Sequence, residues 1–501
     1  MQARTTIESV TDIGTQPCTR SRRLLILAIC CMSLLIVGLD STIVNVALPA
    51  IHRDLHASVV GLQWAVDAYT LVLASLLMVS GSTADRIGRR RVFQTGLLIF
   101  SLGSLLCGVA QSLPMLVAFR VLQAIGGSML NPVAMSIIRN VFDDPRERAQ
   151  AIGLWGGVLG LSMALGPVLG GALVDSVSWR AVFFVNVPIG AAAILLTARF
   201  VPESRASHPR RLDPVGQVLV MAGLATLTYT IIEAPRMGWT SPETLGLFAA
   251  VFILFAALIA YELRRREPLI ELRFFRSAPF AGASGIAVLA FAAQGGFLFL
   301  NTLYLQDVRH LSPLQAGLYL LPMAGMQLVC APISGRMVAR TGGRAPILVA
   351  STAVLAGALM LTSLSPTTPT GYLIVSYFLF GVGSGLINPP ITDTAVAGMP
   401  SSQAGVAAAV ASTSRQVGLT LGVAVLGAIA GGTLSGTLGP SFAAATHPAW
   451  AVVAGLGVAM FLIGAATTTR WARATAARTA RAVGDQGLPL TPQAADRAGS
   501  R

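Results

Sequence analysis

The chain has 501 residues, of which 54% are hydrophobic and only 11% are charged, and its mean hydropathy is +0.71. A soluble protein of this length could not bury so much apolar surface, so the composition excludes the soluble class and predicts a membrane protein. The formal net charge of +14 would also fit a nucleic-acid-binding protein, unless the charges follow a membrane topology.

Apolar runs of roughly 20 residues recur along the chain, and each can cross a hydrocarbon core of about 30 Å as a helix. Such runs are helices rather than barrel strands, because backbone polar groups cannot stay unpaired in lipid. We predict an all-α membrane protein with fourteen transmembrane helices. In chain order the predicted spans are 24–47, 62–80, 92–110, 114–138, 149–174, 181–200, 215–234, 244–263, 280–303, 316–338, 346–364, 371–393, 405–430 and 449–469.

The basic residues follow this topology. All 35 are arginine: 29 lie in predicted cytoplasmic segments, two within spans, and four (Arg53, Arg180, Arg236, Arg309) in outer loops. This positive-inside bias predicts that both termini are cytoplasmic, and it explains the net charge without a nucleic-acid partner. Arginine without lysine is typical of a high-GC bacterial genome. We therefore expect a multi-pass protein of the bacterial inner membrane.

The first apolar run could be mistaken for a signal peptide, because Arg20, Arg22 and Arg23 precede it. It continues to Ala47 without a small-residue cleavage site, which predicts an uncleaved first span. The five cysteines show no metal-binding spacing, and we expect buried thiols with no metal and no cofactor. They are Cys18, Cys30, Cys31, Cys107 and Cys330.

Two internal repeats predict a duplicated architecture. Gly81-Ser-Thr-Ala-Asp85-Arg86-Ile-Gly88-Arg89-Arg90 recurs 254 residues later as Gly335-Arg-Met-Val-Ala-Arg-Thr-Gly-Gly-Arg344. Gly126-Gly-Ser-Met-Leu-Asn131-Pro132 recurs 257 residues later as Gly383-Ser-Gly-Leu-Ile-Asn388-Pro389. We predict two six-helix halves with spans 7 and 8 inserted between them. The predicted divisions are a cytoplasmic tail at 1–23, an N-terminal half at 24–200, a linker with two spans at 201–279, a C-terminal half at 280–469 and a cytoplasmic tail at 470–501.

These motifs, together with others along the chain, carry a family resemblance. From Leu39 to about Gly427 the chain resembles the fourteen-span drug:proton antiporters of the EmrB/QacA type, a branch of the major facilitator superfamily. Two positions depart from that pattern: Ala339 replaces the acid of the second loop motif, and Ala124 stands where glycine is usual. The remaining motifs are Leu39-Asp40-Ser-Thr42-Ile-Val-Asn45-Val-Ala-Leu-Pro49, Arg120-Val-Leu-Gln123-Ala-Ile-Gly126-Gly127, Gly166-Pro167-Val-Leu-Gly170-Gly171, Trp179-Arg180, Asn186-Val-Pro188, Tyr304-Leu305-Gln306, Ala316-Gly317 and Arg415-Gln416-Val-Gly418.

Three charged residues fall at one depth in the predicted spans. At about 1.5 Å per residue, Asp40 lies about 24 Å from the cytoplasmic end of span 1, Arg120 about 10 Å into span 4, and Asp67 about 7 Å into span 2. A charge in hydrocarbon costs about 2.5–3.5 kcal/mol, so each needs a partner or a cavity. We expect them to face one central cavity, with Asp40 exchanging protons assisted by Arg120. The alternatives are a fixed Asp–Arg pair that orients helices, and an interfacial position for Asp67.

The resemblance also implies two conformational elements. The cytoplasmic loop motif would act as a charged latch between helix ends, with Glu147 as a partner for its arginines. A purely topogenic cluster is the competing interpretation. The predicted latch residues are Gly81, Asp85, Arg86, Gly88, Arg89, Arg90 and Glu147.

In span 5, Gly166-Pro167 would permit a bend and favours an exporter over an importer by resemblance. Gly170 and Gly171 complete that motif. Gly153 and Gly157, together with Gly166 and Gly170, predict close packing on a neighbouring helix.

Polar residues within the apolar spans are candidates for the substrate cavity. For Arg415 the alternatives are cargo contact and stabilisation of the C-terminal half. The candidates are Asn45, Gln123, Asn131, Gln306, Asn388, Arg415 and Gln416.

The leading functional hypothesis is a proton-coupled exporter of small amphipathic compounds such as drugs, antibiotics or lipophilic cations, working by alternating access. Dedicated export of one native metabolite is the second hypothesis, and a non-transporting receptor on the same fold is the third. We expect no enzymatic activity and no catalytic residue, because no nucleophile constellation, metal spacing or phosphate-binding loop occurs. The expected partners are the lipid bilayer, protons and a small-molecule substrate, and the expected oligomeric state is a monomer.

Overall fold

A computed structural model describes residues 19–142, 144–206, 213–265, 268–396, 404–432 and 441–484. Every regular element within these ranges is helical, and fourteen helical segments are long and apolar enough to span a membrane. The predicted all-α fold and number of spans are confirmed. Most of the predicted N-terminal tail, including Cys18, and the last part of the predicted C-terminal tail lie outside the described residues.

The N-terminal half supplies six spans, the sixth of which joins two helices around a turn at Val185. Its helices are α1 (Arg20–Leu55), α2 (Val59–Ile87), α3 (Arg89–Gly108), α4 (Leu113–Val141), α5 (Pro145–Ser176), α6 (Ala181–Phe184) and α7 (Asn186–Phe200).

Two further spans form the inserted pair, and six more form the C-terminal half. The inserted helices are α8 (Pro214–Met237) and α9 (Pro242–Glu262), followed by a short 3-10 helix at Leu272–Arg276. The remaining helices are α10 (Ala278–Leu303), which continues as a π-helix (Tyr304–Val308), α11 (Pro313–Tyr319), α12 (Leu321–Thr341), α13 (Arg344–Leu361), α14 (Thr370–Val396), α15 (Ala404–Gly432), α16 (Ser441–Ala445), α17 (His447–Thr467) and α18 (Arg470–Gly484).

The two repeated loops turn in related ways. Gly88 directly follows α2 with φ 128°, and Gly342 directly follows α12 with φ 78°. Residues with side chains rarely adopt a positive φ, so glycine is required at both corners. The two glycines occupy corresponding positions of the repeated motif, so the backbone turn is repeated along with the sequence.

The second repeat serves helix packing. The Cα of Gly126 in α4 lies against the backbone of Phe100 in α3, and that of Gly383 in α14 lies against Ala350 and Val354 in α13. Small residues at such points let two helix backbones approach closely. Each half therefore builds its third and fourth spans into one tightly packed pair.

Side-chain hydrogen bonds join the two halves at one end of the bundle. We call the end at which α1 begins and α2 ends, with Arg20, Arg22 and Arg89–Arg91, the basic side. At the opposite side, the Gln306 side chain donates to the carbonyl of Val46 at 2.9 Å and joins the π-helix that follows α10 to α1. There the Gln63 side chain of α2 also donates to α15, at the carbonyls of Val423 (3.1 Å) and Ala424 (3.0 Å).

Toward the basic side, α5 and α12 diverge. They still touch where Gly160 faces Leu328, since a Cβ on the glycine would lie 3.9 Å from the leucine. Closer to the basic side, a Cβ on Gly153, Gly157 or Gly335 would meet no atom within 4 Å. The predicted close packing along all of span 5 is therefore wrong for Gly153 and Gly157. The bundle has a cleft between α5 and α12 that opens to the basic side.

The inserted helices pack on the flank where α2 meets α15. The side chain of Gln217 in α8 donates to the carbonyl of Ser75 in α2. α9 lies outside α8 and exposes large apolar side chains such as Phe252 (75%) and Ile253 (64%). These exposures suit a helix that faces lipid. The inserted pair therefore packs on the outside of the bundle and does not enter the cleft between α5 and α12.

α18 covers the start of α10 and forms part of the predicted C-terminal tail. The hydroxyl of Thr475 accepts the backbone N–H of Ala278 at 3.0 Å, and Ala472 is fully buried. Trp471 on the same helix is 65% exposed. An amphipathic helix directly after the last span suits a position along the membrane surface.

Candidate functional site

An ion pair lies in the centre of the N-terminal half. Arg120 of α4 donates to the Oδ2 atom of Asp40 in α1 at 2.6 Å, and the two side chains are 2% and 0% exposed. The sequence predicted this partnership from depth alone. The pair is enclosed by its own half and does not line an open cavity.

Amide groups complete the hydrogen bonding of Asp40. Its Oδ1 atom accepts from Gln123 at 2.8 Å and from Asn186 at 3.3 Å, and Asn186 also donates to Ser104 at 3.1 Å. Breaking a buried ion pair is costly when the remaining charge is left uncompensated, so these bonds are needed to hold the carboxylate. We refer to Asp40, Arg120, Gln123 and Asn186 as the ionic centre.

Buried hydrogen bonds and an aromatic ring also hold the side chain of Arg120. Its Nε donates to the carbonyl of Ala65 at 3.2 Å, and its Nη1 donates to Gln123 at 2.9 Å. Its guanidinium carbon lies 4.1 Å from the ring centre of Tyr69, a cation–π contact. The arginine therefore joins α1, α2 and α4.

Asp67 does not join the ionic centre, contrary to the expectation of one shared cavity. Ala65 and Tyr69 of α2 face Arg120, and Asp67 lies two residues from each, about 200° around the helix. It faces α15 in the other half, where Thr70 donates to its Oδ1 at 3.5 Å and Thr420 donates to Thr70 at 2.9 Å.

The environment of Asp67 is also unlike that of Asp40. The side chain is fully buried, and its Oδ2 atom has no hydrogen-bond partner among the described residues. Asp67 is therefore not exposed at the protein surface, and the interfacial alternative for its depth stays a prediction. Within the described ranges, Asp67 is a carboxyl without a cation partner, placed at the contact between the two halves.

The loop motif on the basic side contacts its own residues and the segment that follows α7. Asp85 binds Arg89 at 2.9 Å, and its carbonyl accepts the backbone N–H of Ala206 at 3.1 Å. Glu203 lies beside Gly88, accepts from the backbone N–H of Arg90 at 3.2 Å and pairs with Arg91 at 3.7 Å.

The predicted partnership of Glu147 with this loop is wrong. Glu147 pairs with Arg23 at the start of α1, at 2.6 Å. It lies in the first turn of α5, which Asp144 caps, and this position directs it to α1. The acid that serves the loop is Glu203, which sequence analysis missed.

The glycines of the span 5 motif lie at close helix contacts. Gly166 and Gly170 face Thr42 and Ile43 of α1, so close that a Cβ on either would clash. Gly171 lies against the backbone of Pro313 across the interface. The motif thus packs α5 against α1 of its own half and against α11 of the other half.

Pro167 lies at the same crossing. Its carbonyl abuts Gly317 of α11, where a side chain would clash. Small residues on both helices therefore allow α5 and α11 to touch at the opposite side.

A narrow space lies between the halves beside this crossing. Sequence analysis missed its two amides, Gln294 and Gln327, because an isolated glutamine in an apolar run carries no spacing signal. Its walls are Thr42, Met163, Pro167, Gln294, Leu298, Leu320, Met323, Ala324 and Gln327.

None of the predicted cavity residues is among the walls of this space. Gln123 belongs to the ionic centre, and Gln306 is a bridge between the halves. Asn45 donates to the carbonyl of Ser41 in its own helix, at 3.2 Å. Asn131 is partly buried, and its side-chain oxygen has no hydrogen-bond partner within the described ranges. The backbone carbonyl of Gln416 lies 3.1 Å from the hydroxyl of Thr420.

Two predicted cavity residues come together in the C-terminal half. The Nη1 atom of Arg415 in α15 donates to the side-chain oxygen of Asn388 in α14 at 3.1 Å, and to that of Thr392 at 3.2 Å. These partners are neutral, unlike the partner of Arg120.

The described residues contain no group of three or more His, Cys, Asp or Glu side chains arranged to hold a metal ion. Cys30, Cys31, Cys107 and Cys330 are free thiols, and all but Cys31 are buried.

The fold and this arrangement of buried charges define a polytopic membrane protein built from two related halves. The sequence profile of the Major Facilitator Superfamily matches residues 30–423, and the chain belongs to this family of membrane transporters.

Relatives and solved structures agree with the family. The chain is 39% identical over 400 residues to the tetracenomycin C resistance and export protein of Streptomyces glaucescens, covering 79% of this chain and 74% of that protein. It is 36% identical over 409 residues to the multidrug resistance protein Stp of Mycobacterium tuberculosis, covering 82% and 76%. A bacterial homologue of the human lysosomal transporter Spinster, solved inward-facing and unoccupied, shares the fold with a TM-score of 0.60 at 19% identity, covering 92% of this chain and 98% of that one.

Proposed function

We propose that the chain exports small amphipathic compounds in exchange for protons, as a fourteen-span transporter of the EmrB/QacA type. The names of its relatives, as resistance and export proteins, support export. The fourteen spans support this branch of the superfamily. The contact of α5 with α11 through the Gly166-Pro167 motif supports a mechanism in which the two halves move against each other.

The same proposal assigns an orientation. The protein lies in the bacterial inner membrane with both termini in the cytoplasm, because the arginines concentrate on the basic side. The cleft between α5 and α12 then opens to the cytoplasm, from which an exporter collects its cargo. Export requires the halves to separate at the opposite side, where glycine contacts and a few side-chain bonds to carbonyls hold them.

Asp67 carries the proposed coupling, because it lies where the halves meet. A carboxyl group buried without a cation is far less costly as the neutral acid than as the carboxylate. When α2 and α15 separate, water reaches the carboxyl and stabilises the charged form. Its protonation then depends on which side of the transporter is open, as antiport requires.

Asp40 is the alternative acid, and its geometry is less suited to a mobile proton. Its two oxygens already accept hydrogen bonds from Arg120, Gln123 and Asn186. Proton uptake at Asp40 would require Arg120 to leave. We therefore assign Asp40 and Arg120 to holding α1 and α4 together, and Asp67 to proton exchange.

Proton movement in proteoliposomes tests this assignment. The parent, Asp67→Asn and Asp40→Asn would be compared for dye-triggered proton release, with Glu243→Gln in the exposed first turn of α9 as a control. We expect Asp67→Asn to bind dyes but release no protons, and Glu243→Gln to match the parent. Coupling that survives in Asp67→Asn and disappears in well-folded Asp40→Asn would move the proton site to the ionic centre.

The same measurement separates the other functions. A response to one metabolite and to no other compound would replace multidrug export by dedicated export. No response to any compound, from correctly inserted protein, would contradict transport and support a receptor.

A further inference from the structure

Arg415 is a membrane-embedded cation with neutral neighbours. It follows the start of α15 by eleven residues, about 16 Å along the helix. Its hydrogen bonds go to the amide oxygen of Asn388 and the hydroxyl of Thr392. Across the described part of the chain, no carboxylate lies within ion-pair distance of Arg415.

Asp393, the nearest acid along α14, does not face Arg415. Asp393 adjoins Thr392, but residues that share a helix face are three or four positions apart, as Asn388 and Thr392 are. Asp393 therefore points about 100° away from the face that meets Arg415. It is exposed near the end of α14.

A charge within a span costs about 2.5–3.5 kcal/mol, and it persists where a partner or a polar path compensates it. Arg120 has Asp40 as its partner. Arg415 has a polar face of α14, which consists of Ser384, Asn388 and Thr392 at intervals of four residues. We call this face with Arg415 the Arg415 stripe.

The Arg415 stripe begins at the narrow space between the halves. Gln327, one wall of that space, donates to Ser384 at 2.7 Å. From Ser384 the stripe runs toward the basic side, where Thr392 is exposed. The arginine thus lies along a polar route from the centre of the bundle to the basic side.

We propose that the Arg415 stripe binds an ionised acidic group of the cargo, such as a carboxylate, phenolate or enolate. A guanidinium presents donors in a planar fork that matches such groups, and Asn388 and Thr392 orient that fork. The exported compounds are then amphipathic anions rather than lipophilic cations. This inference rests on the proposed export function and names its substrate class.

A matched pair of fluorescent probes tests the charge preference. 1-Anilinonaphthalene-8-sulfonate is an anion, and N-phenyl-1-naphthylamine has the same rings without the sulfonate. Their affinities would be measured in nanodiscs of zwitterionic phosphatidylcholine, with empty nanodiscs subtracted. We expect Arg415→Gln to weaken binding of the anion about ten-fold, or about 1.4 kcal/mol, and to leave the neutral probe unchanged.

Three further variants keep the test decisive if Arg415→Gln folds poorly. Arg415→Lys retains the charge and should restore part of the anion affinity. Asn388→Asp places a carboxylate beside an intact arginine and should weaken the anion as much as Arg415→Gln does. Arg236→Gln, an exposed arginine on α8, is the matched control and should change neither affinity.

Equal weakening of both probes by Arg415→Gln, or unchanged anion binding in Asn388→Asp, would overturn the inference. Proton release triggered by cationic dyes such as ethidium but not by the anion would overturn it too, while export itself stood. Proton release by none of the probes would contradict the proposed function instead.

Discussion

The centres of the two halves use opposite chemistry at corresponding positions. The residues 257 positions after Asp40, Arg120 and Gln123 are Phe297, Tyr377 and Phe380. They also lie together, since the ring centres of Phe297 and Tyr377 are 5.2 Å apart and those of Phe297 and Phe380 are 4.3 Å apart. We call these three with Trp450 the aromatic centre.

The sixth span of each half contributes the fourth member. Asn186 donates to Asp40 in the ionic centre, and the ring of Trp450 lies 6.0 Å from Phe297 in the aromatic centre. Both centres hold the first, fourth and sixth spans of a half together. One does so with charge-assisted hydrogen bonds, and the other with tilted and edge-to-face aromatic packing.

The same three spans are thus held together by an ion pair in one half and by aromatic packing in the other. The two kinds of contact are expected to differ in how strongly a substitution lowers the free energy of unfolding. An ion pair in a dry interior fails when either partner is removed. An aromatic cluster tolerates changes that conserve volume. Free energies of unfolding, measured by mixed-micelle titration in detergent and sodium dodecyl sulfate, are expected to show this contrast.

The largest effect is expected at the ionic centre. Arg120→Met leaves Asp40 buried without its cation and should destabilise the protein by about 3–5 kcal/mol. The matched control is Asp40→Asn with Arg120→Met, which removes both charges and should regain most of that loss. A double variant as unstable as the single one would show that packing, not charge, holds these helices.

A smaller effect is expected at the aromatic centre from Tyr377→Phe. The Tyr377 hydroxyl donates to Asn301 at 2.7 Å, and its removal leaves a buried oxygen unpaired. We expect a loss of about 1–3 kcal/mol in the same titration. Dye-triggered proton release should be retained. Its loss in the folded variant would give the aromatic centre a part in coupling.

Phe297→Leu is expected to have a modest effect, because it keeps a large apolar side chain, although one that is smaller and lacks the ring. The cost should stay under about 1.5 kcal/mol, and transport should be retained. The titration and the proteoliposome assay check both statements. A loss as large as that of Arg120→Met would remove the contrast between the two centres.

The smallest effect is expected from Glu147→Gln. The Arg23–Glu147 pair has the same 2.6 Å separation as the Arg120–Asp40 pair, but its side chains are 25% and 43% exposed. Solvated pairs contribute about 0–1 kcal/mol, so the expected loss is within that range. A loss near that of Arg120→Met would mean that distance rather than burial sets the strength.

Depth along the chain predicted part of the site and misplaced the rest. It correctly paired Asp40 with Arg120, because a charge within a span needs a partner or a polar path and these two opposite charges lie at one level. It placed Asp67 in the same group, although two residues of α2 turn that side chain toward the other half. Glu147 was misassigned for a related reason, since loop proximity does not define which helix end an acid faces.

The sequence alone determined the number of spans, the distribution of arginine and the duplication. Each of these depends on local composition or on recurring letters, which need no knowledge of neighbouring helices. Only the tertiary structure decided which face of each helix meets which partner. It separated Asp67 from Arg120, left Arg415 among neutral groups, and filled the C-terminal centre with rings, because rotation about a helix axis is set by packing against several other helices at once.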